Sequence, residues 1–113
     1  MQLQLGDTVE GVLNLALIGR LDTPGVDRIE TSLTAHLVPR GARATVDLSQ
    51  VTFLASGGIR MFITLARALG RKGGRLVLYG ALPLVAEVLE TTSLNDIVPV
   101  RADATTAASV ARG

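Results

Sequence analysis

Cysteine and tryptophan are absent from this chain of 113 residues, and its aromatic side chains are limited to Phe53, Phe62 and Tyr79. Without cysteine there is no disulfide framework, no thiolate metal site and no thiol nucleophile. With aromatics at 3%, the core must be built from Leu, Val, Ile and Ala, which suits helices laid on a sheet better than a platform for stacking bases. Charge of one sign is lacking too. The formal balance of +1 gives no field able to hold a polyanion, so nucleic acid is not an expected partner. No run approaches the ~18–20 apolar residues of a membrane span. Met1 to Gly11 carries Asp7 and Glu10 and no signal-like apolar stretch. The expectation is a cytoplasmic protein with no direct membrane insertion.

Histidine is equally scarce. His36 is the single one, so a Ser-His pair has only one candidate base, placed near the end of a predicted helix. Metal-ligand spacing and glycine-rich phosphate-loop patterns do not occur. Arg71-Lys72-Gly73-Gly74-Arg75 is basic and glycine-rich but follows a helix, the reverse of a phosphate loop. Neither catalysis, a metal nor a cofactor is expected.

What the chain does have is apolar material. Hydrophobic residues make up 48%, enough to exclude disorder, and the length suits one domain spanning 1–113. Leu3 and Leu5 alternate with Gln2 and Gln4, and Leu13, Leu15 and Leu17 share one face of a second run, Val12 to Ile18. These two predict an antiparallel hairpin joined by a polar turn at Gly6–Gly11. Pro24 opens a helix that Thr23 is expected to cap and that Pro39–Gly41 ends. The remainder alternates: strand 44–48, helix 58–70, strand 75–79, helix 83–91, strand 97–100, and a last helix capped by Asp103. Such alternation implies parallel pairing. The predicted fold class is α/β: a mixed, mostly parallel sheet of about five strands with about four helices.

The most informative stretch runs from Val46 to Ile59, where a strand exit leads through Ala55-Ser56-Gly57-Gly58 into a helix. Small residues there leave backbone N–H groups open to another molecule. The plainer alternative is turn geometry, with the Ser56 hydroxyl capping the helix or satisfying a loop N–H. Ile59, Phe62, Ile63, Ala66 and Leu69 form a core stripe at helical spacing, opposite Arg60, Thr64, Arg67 and Arg71. A cation as early as Arg60 opposes the helix dipole at a small local cost, which ordinary surface packing can also offset. Asp47 and Ser49 are read as organising the strand exit, and Asp22 as accepting backbone N–H groups before Pro24.

Asp47-Leu48-Ser49, Phe53 and the small-residue loop together resemble the central motif of STAS domains, a name that joins sulfate transporters with anti-sigma factor antagonists. Gly19-Arg20-Leu21-Asp22 is similar to that family's turn before its first helix. Gly74–Leu78 and the run from Val88 to Ile97 are similar to its later elements, in the same order. The resemblance implies a single STAS-like domain that binds a protein through Ala55, Ser56, Gly57, Gly58, Arg60, Thr64 and Arg67, with Asp22 and Thr23 alongside. It implies an anti-sigma factor of the serine-kinase type as partner, with a transporter ATPase as the alternative. A third possibility is a nucleotide or small-ligand sensor, for which no specific contacts are evident. The family's loop reads Asp-Ser-Ser/Thr-Gly, and its second hydroxyl is the phosphoacceptor. Aligned on Gly58, that position is Gly57, which cannot be phosphorylated; a one-residue shift would put Ser56 there instead.

Overall fold

The computed structural model describes all residues 1–113. A two-residue turn starts the fold. Glu10 and Gly11 both adopt left-handed backbone, at φ 51° and 79°, the geometry that matches the twist of a tight hairpin. They join β1 (Gln2–Val9) to β2 (Val12–Leu21) in antiparallel pairing. The expected turn at Gly6–Gly11 is therefore too long. The ladder slips by one residue between Leu5 and Thr8, so Gly6-Asp7 is a β-bulge within β1. The Asn14 amide donates to the Asp7 carbonyl at 3.0 Å across it.

The remaining elements are α1 (Thr23–Leu37), β3 (Arg43–Leu54), α2 (Ser56–Gly70), β4 (Arg75–Tyr79), α3 (Pro83–Thr91), β5 (Val100–Arg101) and α4 (Ala104–Arg112). One sheet has the order β1-β2-β3-β4-β5, and every pair after the hairpin is parallel. The α/β expectation holds in class, strand number and hairpin. The last strand does not: it lies at Val100–Arg101 rather than 97–100. A short turn of helix at Leu94–Asp96 takes up the chain first, and the Asn95 side chain accepts from the Val100 N–H at 2.7 Å.

β3 is more than twice as long as the 44–48 expected. Its pairing with β2 advances three residues for two between Asp47 and Gln50, and two for one between Val51 and Phe53. Two bulges therefore break the alternation. Leu48, Val51 and Leu54 are all buried at a spacing of three, a period that reads as neither strand nor helix. β4 accompanies β3 only as far as Asp47, paired with Tyr79, so the end of β3 outruns its neighbour and α3 packs against that overhang.

The main core fills the face covered by α1, α2 and α3, around the fully buried Phe62. α4 covers part of the other face, where Ala107 and Ala111 meet Val12 and Val77. No helix is long and apolar enough to cross a membrane. Among buried residues Thr45 alone is polar; its hydroxyl donates to Asn14 Oδ1 at 2.6 Å, linking β3 to β2. Replacing Thr45 with Val keeps the shape but strips that acceptor of its donor. We expect a loss of about 1–2 kcal/mol in urea unfolding, with Asn14→Ala and Thr45→Val non-additive in the double variant.

Candidate functional site

Two chain crossings meet at the carboxyl ends of the parallel strands. The Ala55 N–H donates to the Leu21 carbonyl at 3.0 Å, which holds the β3–α2 junction against the β2–α1 turn. In that turn Asp22, not Thr23, caps α1. Its Oδ1 accepts from the Gly25 N–H at 2.9 Å, and Thr23 is the first helical residue. Aspartate wins the cap because extended backbone at position 22 aims its carboxylate at the free N–H groups of the first turn. Its other oxygen accepts from Arg20 Nε at 3.3 Å. The Gly25 N–H and then Arg20 hold the Asp22 carboxyl below its ordinary value, against the upward push of partial burial.

α2 starts two residues earlier than expected. Ala55 is its extended cap residue, and the Ala55 carbonyl already accepts from Gly58 and Ile59 N–H groups at 3.0 and 3.3 Å. Ser56, Gly57 and Gly58 are thus the first helical turn rather than a loop. The exposed Ser56 does not cap the helix: Ala55 holds that position with no side-chain acceptor, and no carboxylate lies in the first turn. Arg60 falls in the second turn, so the dipole conflict expected of it is largely relieved. The buried stripe is Ile59, Met61, Phe62, Leu65 and Leu69, with Ile63 and Ala66 only half-buried. Arg60, Thr64, Arg67 and Arg71 are all exposed, as predicted.

The two glycines differ. A side chain on Gly58 would meet Leu54 Cδ1 at 2.6 Å and Leu21 Cβ at 3.3 Å, so glycine is what lets α2 settle onto the strand ends. A side chain on Gly57 would meet nothing nearer than Val26 Cγ2 at 4.0 Å, and its φ is ordinary. Nothing in the fold demands glycine there.

Thr23, Gly57, Arg60 and Thr64 come together along a groove of about 290 Å³ between α1 and α2. Asp22, Ala55 and Ser56 border this surface without lining the groove, Gly58 is buried beneath it, and Arg67 lies further along α2. Asp27 and Glu30 form the opposite wall, a contribution the sequence pattern did not reveal. None of the α2 arginines is in an ion pair; the two in the chain are Arg20–Asp22 and Arg112–Glu10. Also unforeseen is Phe53, which stays 40% exposed with the Arg20 guanidinium 4.3 Å from its ring centre. Broken strand periodicity hid which way it faces.

A family model described as "Mlab, STAS domain" matches residues 7–99. The chain belongs to the STAS family. A relative named as the anti-sigma factor antagonist BtrV, from Bordetella bronchiseptica, is 30% identical over 94 residues, covering 83% of this STAS domain and 81% of that protein. Among solved structures, an anti-sigma factor antagonist from Mycobacterium paratuberculosis superposes with a TM-score of 0.86 at 22% identity, over 99% of this chain and 94% of that one. SpoIIAA of Bacillus, solved in its phosphorylated form, gives 0.70 at 19% identity, over 96% and 98%. At these identities the structural matches speak for the shared STAS fold.

Two stability predictions arise from this geometry. Gly58→Ala should cost about 1–2 kcal/mol through crowding of Leu54 and Leu21, whereas Gly57→Ala should stabilise by about 0.5–1 kcal/mol through helix propensity, both read by urea unfolding. Asp22→Ala should lower the urea midpoint at pH 7. Because the folded carboxyl titrates below 3.8, its contribution is complete above that value and fades as pH falls beneath it. The gap between wild type and variant should therefore close in acid.

Proposed function

We propose that this STAS domain is a non-catalytic anti-sigma factor antagonist. In this reading it docks on an anti-sigma factor of the serine-kinase type, in a bacterial partner-switching circuit, and so releases a sigma factor. The docking surface is the first turn of α2, Ala55 to Gly58, with Arg60, Thr64 and Arg67 behind it and the Asp22–Thr23 turn at its side. The observation that carries the reading is Gly57: small, beside the α1–α2 groove, and under no packing demand to be glycine.

A phosphate adds about −1.5 to −2 charges at neutral pH, enough to repel and crowd a docked protein. The related SpoIIAA has been solved in both phosphorylated and unphosphorylated forms. With glycine at position 57 this chain has no hydroxyl for that modification, and it stays in one binding-competent state. Ser56, exposed and one residue earlier, lies about 100° around the helix from position 57. The same missing acceptor favours a second reading. A STAS subunit docking on the ATPase of an ABC-type phospholipid transporter needs no phosphorylation switch.

Affinity capture from the native cell distinguishes the two: a kinase-type anti-sigma factor supports the first, a transport ATPase the second, and neither sinks both. With the captured kinase and ATP, the wild type should gain no phosphate by mass and Gly57→Ser should gain one. A phosphate on wild-type Ser56 would overturn the role given to Gly57. Arg60→Glu should weaken partner binding about tenfold, roughly 1.4 kcal/mol, and an unchanged affinity removes Arg60 from the interface.

A further inference from the structure

An open apolar groove lies beside this surface. Where β3 outruns β4, its last residues and α3 enclose a groove of about 380 Å³ lined by Phe53, Leu54, Leu84, Val85 and Val88. Leu84 is 74% exposed, the most of any large apolar side chain here. Such an open apolar groove can seat a side chain from another molecule.

We infer that this groove receives a large apolar side chain flanked by Lys or Arg, presented by the same protein that docks on the α2 surface. The inference rests on the docking reading above and adds the chemistry of the partner. Charge selects the flanks. Glu87 is the only charged residue on the groove wall, and α3 carries Glu87 and Glu90 with no basic residue. Neither acid is in an ion pair. Arg20, opposite Phe53 in the ladder, is already engaged by Asp22 and by the Phe53 ring. An incoming chain thus meets an apolar floor beside uncompensated negative charge, which favours basic flanks and disfavours acidic ones.

Continuity selects the partner. Phe53 sits opposite Arg20 in the β2–β3 ladder, Arg20 pairs with Asp22, and Asp22 caps the helix that forms one side of the Gly57 groove. One unbroken set of contacts therefore leads from the α1–α2 groove to the α3 groove. The exposed face of α2 offers unpaired arginines and α3 unpaired glutamates, which favours a partner that is acidic where it meets those arginines and basic over α3. Opposite polarity at the two ends fixes its orientation.

Two synthetic amphipathic helical peptides test the groove without the native partner. Both carry the same Leu positions, one with Lys at the remaining sites and one with Glu. Titrated into the 15N-labelled full chain, the Leu/Lys peptide should shift the amides of Phe53, Leu84 and Val88, and the Leu/Glu peptide should bind at least about tenfold more weakly. Glu87→Lys should reverse that preference, and Leu84→Asp should lower Leu/Lys affinity at least about tenfold. Leu84 is exposed, so Leu84→Asp should fold, which circular dichroism checks. Equal binding of both peptides, or shifts centred elsewhere, overturns the inference. With a captured protein partner, loss of binding by Gly57→Arg together with unchanged binding by Leu84→Asp overturns the groove and leaves the docking reading intact. Retention by both variants overturns both, and loss by both supports both.

Discussion

The approach of Gly58 to Leu21 and Leu54 sets how closely α2 can lie on the strand ends, and much of the remaining structure depends on that distance. Because no side chain intervenes, the Ala55 N–H reaches the Leu21 carbonyl and two separate crossovers become one surface. The same contact aligns the open edge of Gly57 with Val26 on α1, and sends Arg60 and Thr64 along a groove rather than into the core. Gly58 is thus a glycine of packing and Gly57 a glycine of access. Two adjacent, identical letters in the sequence do different physical jobs.

That distinction explains where the sequence could be read and where it could not. The order of strands and helices, the hairpin, the proline starts of α1 and α3 and the Asp103 cap of α4 all follow from local chemistry, and they appear in the structure. Boundaries failed where two local signals competed. Asp22 and Thr23 are both good cap residues, and the choice depended on backbone angles that the sequence does not display. Alternation reveals only the 44–48 part of β3, because each bulge resets the period on which strand recognition relies. The candidate surface is legible through resemblance more than through composition. Its acidic wall, Asp27 and Glu30, required knowing which face α1 turns toward α2.

Electrostatics give this nearly neutral chain a local character that its net charge conceals. The arginines of α2 line one exposed face, while α1 and α3 contribute acids on either side. Fields of this kind act on encounter rate and orientation more than on affinity, and at about 0.1 M salt they are largely screened beyond about 10 Å. Affinity has to come from apolar contact, and the exposed Phe53 and Leu84 are its natural source at this end of the molecule.

The ends of the sheet carry a consequence of their own. β1 is interrupted by its bulge at Gly6-Asp7, and β5 offers only two residues. Neither border presents the long flat run of free amides and carbonyls that recruits a foreign strand. A molecule built this way can be crowded without its sheet growing into its neighbour's. Its associations are left to side chains, which part without unzipping any main-chain ladder. For a protein whose proposed work is to exchange partners, closed borders keep each encounter reversible.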